Sequence, residues 1–348
     1  MSSSKGLVLV SGANSFVGGA AIEALLKAGY SVRGTVRSMA SGDPLIEALS
    51  EYADKIEIVQ VADITAAGAF DEAVKGVDAV AHIAAPVALN FDDPEPVMTA
   101  AIEGIKRILE SAHATPSVKT FVFMSSVVAI LGPKEGDEIV YTEADWNTAS
   151  LDTLAEQGKN TPGHIIYYAS KTAAEQALWA FRDEQHPKFS VTALNPCFIT
   201  GPPVVVPKSP SEINFTSRTI WDVLAGVPLA EAGLAGLFHG FVDVRDVGRM
   251  VAFSIAHPEK TDGERFLLAS HYGPAQSIAD ILRRQYPERA AIIHEGTPGE
   301  GYFLPGYTYP KGFRHDGTKA TRVSGQDYIP WEKTVVDMAE KLKPLLTN

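Results

Sequence analysis

The feature that most constrains this chain lies near its amino end. An apolar run, Leu7 to Val10, passes into the glycine-bearing stretch Ser11-Gly12-Ala13-Asn14-Ser15-Phe16-Val17-Gly18 and then into a helical pattern. Val17, Ala21, Ile22, Leu25 and Leu26 share one helical face, Glu23 and Lys27 form an exposed i,i+4 pair, and Gly29 stands where a helix stops. A strand that turns straight into a helix returns to its sheet as a parallel neighbour, and the chain repeats the alternation. Further strands are predicted at Ser31 to Val36, Ile56 to Val61, Ala79 to Ile83, Thr120 to Met124 and Val191 to Leu194, with helices near Val97 to Ala112 and from Tyr167 to about Arg182. With right-handed crossovers these strands make an α/β fold, a doubly wound parallel sheet.

Beyond Pro196 the texture loosens. Pro202, Pro203, Pro207 and Pro210 crowd one stretch, and glycine, proline and tyrosine interrupt Gly296 to Gly317. The expected division is a dinucleotide-binding domain over 1–195 and a smaller substrate-binding region over 196–348. Two later apolar runs, Phe241 to Val244 and Phe266 to Leu268, are candidates to rejoin the first sheet.

Composition removes several function classes. The 42 acidic against 30 basic residues leave a formal charge of −12, the wrong sign for gripping nucleic-acid phosphates. Cys197 is the only cysteine, so no intramolecular disulfide or cysteine-based zinc site can form, and its safer reading is a small buried residue. The nine histidines show no His-Glu-x-x-His spacing, and no metal is expected. No serine sits in a Gly-x-Ser-x-Gly elbow, which weighs against a hydrolase. The amino end lacks a signal-peptide core and no segment reaches about 18 uninterrupted apolar residues, so a cytoplasmic protein without a membrane partner is expected.

The turn at Gly12 to Gly18 sits where a helix amino terminus offers free N–H groups and positive dipole to a pyrophosphate. Gly12 permits the tight turn and Gly18 close helix packing, while Ser15 stands where such loops commonly carry a third glycine. Asn14 and Ser15 offer side-chain donors in its place. The second strand ends at Val36-Arg37, where an NAD site would place a carboxylate. A guanidinium there matches a 2′-phosphate and points to NADPH. Arg33, earlier on the strand, reads as structural or solvent-facing. Asp63, after the third strand, is either an acceptor for the adenine amino group or a turn residue. Tyr167 and Lys171, four residues apart, share a helical face, and a nearby ammonium favours a tyrosinate and lowers its pKa. Ser125 and Ser126 emerge at the carboxyl edge of the fifth strand, where sheets of this kind bind ligands. His82, ending a buried strand, reads as hydrogen-bonded structure or cofactor surround. Phe91, Trp221, Phe238, Tyr302, Tyr307 and Tyr309 serve either a substrate pocket or the core.

Through Gly12 to Gly18, Asp63-Ile64, His82 to Pro86, Ser125-Ser126, Tyr167 to Lys171 and Phe241 to Asp246, the sequence resembles the extended short-chain dehydrogenase/reductase superfamily, a Rossmann fold. Val32 to Ser38, His82-Ile83-Ala84-Ala85-Pro86, Tyr167-Tyr168-Ala169-Ser170-Lys171-Thr172 and Asn195-Pro196 are most similar to fungal NADPH-dependent aldehyde and ketone reductases related to dihydroflavonol reductase. The resemblance implies Ser126, Tyr167 and Lys171 as catalytic residues. It places Gly12, Asn14, Ser15, Phe16, Val17, Gly18, Arg37, Asp63, Ile64, Ala84, Ala85, Pro86, Tyr167, Lys171, Pro196 and Ile199 around NADPH or NADP. The implied reaction is hydride transfer to an aldehyde or ketone, keto esters and aromatic ketones included, in a monomer or homodimer. A nucleotide-sugar epimerase or dehydratase is the alternative within enzymes, and a dinucleotide-sensing regulator the alternative outside them.

Overall fold

The computed structural model describes residues 4–85, 91–233, 240–308 and 312–346. Its twelve strands are β1 (Leu7–Ser11), β2 (Ser31–Val36), β3 (Ile56–Gln60), β4 (Ala79–His82), β5 (Thr120–Met124), β6 (Ile139–Tyr141), β7 (Ser190–Pro196), β8 (Phe198–Thr200), β9 (Gly240–Asp243), β10 (Glu264–Leu268), β11 (His271–Tyr272) and β12 (Phe313–His315). Seven of them form the central sheet in the order β10-β7-β5-β4-β1-β2-β3, every pairing parallel. The chain runs outward from β1 to β3, then returns to β4 on the other side of β1. The carboxyl ends of β1 and β4 therefore flank the point where strand order reverses, the place such sheets leave open for a ligand.

The predicted strands appear within a residue or two, because buried parallel strands read as continuous apolar runs. One face of the sheet packs on helices Phe16–Lys27 and Val244–Ala256, the other on Pro94–His113 and Gly163–Gln185. Gly248 allows the close crossing on the first face, since a Cβ there would stand 2.5 Å from the Ala20 carbonyl oxygen. The predicted helix near Val97 begins earlier, at Pro94, with Asp93 capping it by accepting from the Glu95 N–H at 3.1 Å.

The two late apolar runs part company. Phe266 to Leu268 joins the central sheet as part of β10, whereas Phe241 and Val242 lie on β9, in a separate three-stranded sheet β11-β9-β8. The cause is local: β10 already occupies the free edge of β7, and β7 ends at Pro196. Only then does β8 begin, pairing parallel with β9. A third apolar cluster, holding Trp221, Trp331, Ile278 and Leu282, binds the carboxyl-terminal helix Trp331–Leu342 to helix Ala275–Gln285.

Candidate active site

The turn after β1 is built as a cradle. Gly12 has φ +68°, a left-handed conformation that favours glycine, and a Cβ there would come within 3.1 Å of the Ala84 backbone. A Cβ on Gly18 would stand 2.2 Å from the Gly12 carbonyl oxygen. Ser15, by contrast, needs no glycine. Its φ of −80° is ordinary, and its Oγ caps the following helix by accepting from the Gly18 N–H at 3.0 Å. Among the described residues the N–H groups of Asn14, Phe16 and Val17 have no partner in the chain, leaving three donors at a helix amino terminus.

Ser11 ties this turn to the neighbouring strand end. Its Oγ accepts from the N–H groups of Ile83 (2.9 Å) and Ala84 (3.0 Å) and lies 2.8 Å from His82 Nδ1. Because the hydroxyl has one proton and both amides are donors, that proton goes to Nδ1, and His82 carries its own on Nε2. Burial, with Lys171 nearby, lowers the His82 pKa to about 3, so the ring is a neutral spacer. Ala84 and Ala85 follow at this edge, and Pro86 lies outside the described residues.

At the tip of β2, Arg33 and Arg37 differ as their positions imply. Arg33 is consumed by the fold: Nε donates to Glu57 at 2.7 Å, and Nη1 to the carbonyls of Ala73 and Lys75. The Arg37 side chain is exposed and makes no hydrogen bond or ion pair among the described residues, while its carbonyl accepts from Gln60 Nε2 at 3.0 Å. A free guanidinium here and three free amides at the helix start are the donor set a 2′-phosphorylated dinucleotide requires. Asp63 is exposed and holds its own turn, accepting from the Thr65 N–H at 2.8 Å and Oγ1 at 2.7 Å, which keeps its carboxyl below the ordinary range. Ile64 packs toward Gly104 and the apolar face behind the sheet.

The two serines after β5 are set against different residues of the helix Gly163–Gln185. Ser125 is buried and donates to Glu175 Oε2 at 2.5 Å. Ser126 is partly exposed, accepts from the Val128 N–H at 3.3 Å and lies close enough to the Tyr167 hydroxyl to favour its ionised form. Tyr168 instead meets His164 edge-on at 5.8 Å. Lys171 is 5% exposed and its Nζ donates to the Met124 carbonyl at 3.4 Å. Pro196 and Ile199 lie just beyond on β7 and β8.

The electrostatics differ from expectation in one respect. Lys171 does not lower the tyrosine: burial raises the Tyr167 pKa to about 12, opposed only by the nearby Ser126 hydroxyl. The ammonium is directed toward the strand end, and its own pKa falls to about 8 through burial, opposed by Glu175. The phenol is therefore protonated at neutral pH, the state a proton donor needs. Burial also pushes the Cys197 thiol up, out of nucleophilic range. Trp221 belongs to the core and Tyr302 stacks on Tyr307 at 5.3 Å, while Phe238 and Tyr309 lie outside the described residues.

Residues 8–269 match the NAD dependent epimerase/dehydratase family. An uncharacterized oxidoreductase of Schizosaccharomyces pombe is 33% identical, the match covering 97% of this chain and 96% of that protein. The NADPH-dependent methylglyoxal reductase of Saccharomyces cerevisiae is 30% identical over 96% of this chain and 97% of its own length. A crystal structure of the yeast methylglyoxal/isovaleraldehyde reductase complexed with NADPH superposes with a TM-score of 0.83, at 29% identity, covering 97% of this chain and 98% of that one.

Proposed function

Since the chain belongs to the NAD dependent epimerase/dehydratase family, we propose that it works there as an NADPH-dependent carbonyl reductase, acting on small aldehydes and ketones, with keto esters and aromatic ketones within its range. The carrying observation is the Ser126 hydroxyl set close to the Tyr167 phenol, with Lys171 one turn along the same helix, at the carboxyl edge beside the Gly12–Gly18 turn. Bound NADPH supplies the hydride, and the chain does the rest. The free amides of Asn14, Phe16 and Val17 hold pyrophosphate, and Arg37 takes the 2′-phosphate. Ser126 donates to the substrate oxygen as negative charge grows there, and Tyr167, kept protonated by burial, gives up its proton to the alkoxide. Lys171, held at the Met124 carbonyl, supplies positive charge at the strand end beside the site while it is protonated.

Relatives named as NADPH-dependent reductases favour this reading over epimerisation. Among the described residues no helix is long and apolar enough to cross a membrane. We place the enzyme in the cytoplasm, as a monomer or homodimer without nucleic-acid or membrane partners. The test is NADPH absorbance in the near ultraviolet with a panel of aldehydes, keto esters and aromatic ketones. Steady oxidation with part of the panel is expected. Absorbance that stays flat throughout, while NADPH still binds, overturns the proposal, and a sugar-nucleotide epimerase would give that flat trace.

A further inference from the structure

Behind the candidate site, where the helix Gly163–Gln185 meets the ends of β5 and β7, lies a buried carboxylate that the mechanism above does not use. Glu175 is 0% exposed and accepts from four side chains on four segments. Oε2 takes Ser125 Oγ at 2.5 Å and Asn195 Nδ2 at 2.7 Å, and Oε1 takes Arg265 Nε at 2.6 Å and Trp179 Nε1 at 3.3 Å. Asn195 Nδ2 also donates to the Ser126 carbonyl at 3.1 Å. The three residues at the end of β5 are thereby each fixed from this helix or through it: the Met124 carbonyl by Lys171, the Ser125 hydroxyl by Glu175, and the Ser126 carbonyl by an Asn195 that Glu175 holds. Arg265 is anchored in turn by the carbonyls of Glu143 and Asp145, both at 2.7 Å, and lies 3.8 Å over the Trp146 ring.

We propose that Glu175 is a positioning residue for carbonyl reduction, setting Ser126 against Tyr167 through Ser125 and Asn195, and holding the Lys171 side chain charged one turn before it on the same helix. A buried ion pair is poor evidence of stability by itself, because desolvation offsets its attraction. Here the carboxylate's remaining lone pairs go to the strand ends that carry the chemistry, which a purely structural pair has no need to do. Among the described residues the groups facing Lys171 are few. Tyr167 and Glu175 share its helix, neutral His82 comes from β4 and the Met124 carbonyl from β5, while Asn195 on β7 and Arg265 on β10 reach it only across Glu175.

The inference rests on the reductase reading, so the wild-type enzyme is assayed first. If it oxidises no NADPH with any carbonyl, that reading fails before this one is tested. With an active substrate in hand, kcat/KM for NADPH is followed against pH for wild type, Glu175→Gln and Arg265→Met. Glu175→Gln is expected to lower kcat about 10–100-fold by loosening the Ser126 segment. It also moves the alkaline limb about one pH unit or more toward acid, because the ammonium loses its closest counter-charge. Arg265→Met moves the limb the other way or leaves it in place. Should Glu175→Gln not fold, its guanidinium partner being left buried and unpaired, the double variant Glu175→Gln/Arg265→Met is read instead, and an acid shift is still expected because the carboxylate is the nearer charge. A folded Glu175 variant with an unmoved limb, or with kcat within about two-fold of wild type, overturns the proposal.

Discussion

Ser11→Ala tests whether the phosphate turn and the 83–85 segment act as one unit. The Ser11 hydroxyl is wholly buried and serves three partners: the N–H groups of Ile83 and Ala84 and the Nδ1 of His82. Alanine leaves all three without a partner, in a space that alanine's methyl group does not open to water. A buried polar group left unpaired costs about 1–3 kcal/mol, and the two amides lie in partly buried residues where water recovers some of that loss. The sum is about 2–4 kcal/mol of unfolding free energy, which in a chain of this size lowers Tm by roughly 3–5 °C. Urea unfolding of the free protein reads the first quantity and calorimetry the second. NADPH affinity is expected to fall as well, because Ala84 abuts Gly12 and the pair forms one wall of the cradle. A variant within about 0.5 kcal/mol of wild type that binds NADPH normally would refute the reasoning, since a surface serine behaves that way and a three-way buried junction does not.

Tyr167→Phe keeps the ring and removes the proton donor. Turnover is expected to fall about 10²–10⁴-fold while NADPH binding, followed by cofactor fluorescence, is retained. Arg37→Ala should cut kcat/KM for NADPH roughly 10–100-fold and barely change it for NADH, as the lost contacts are charge-assisted and specific to the 2′-phosphate. Equal losses with both cofactors would mean Arg37 acts on the fold instead. In wild type, kcat/KM for NADPH should be flat near neutrality and fall as pH rises through about 8. The Lys171 pKa is lowered to that value, so its ammonium is present below it and lost above it. Tyr167, raised to about 12, adds no limb in this range. A profile flat to pH 10 would remove the ammonium from the reaction.

The doubly wound sheet and the ligand edge were legible because each depends on local pattern. Apolar runs mark buried parallel strands, glycine at a positive φ marks the turn, and i,i+4 spacing puts Tyr167 and Lys171 on one face. What the sequence did not disclose depends on partners far along the chain. Glu175 reads as one more polar position on a helix, and Arg265 as the residue before the apolar run at Phe266, yet they meet at 2.6 Å across 90 positions. No periodicity carries such a contact. Ser11 reads as the first residue of the turn, and only His82, 71 positions later, supplies its partner. The direction of Lys171 was likewise hidden, since helical spacing puts two side chains on one face without saying which carbonyl the longer one reaches. The choice between Ser125 and Ser126 follows once that network is known. Ser125 is already spent on Glu175, which leaves Ser126 to Tyr167, two turns earlier on the same helix. A chain with Ser125 alone would keep the carboxylate junction and lose the hydroxyl that the phenol and a substrate oxygen share.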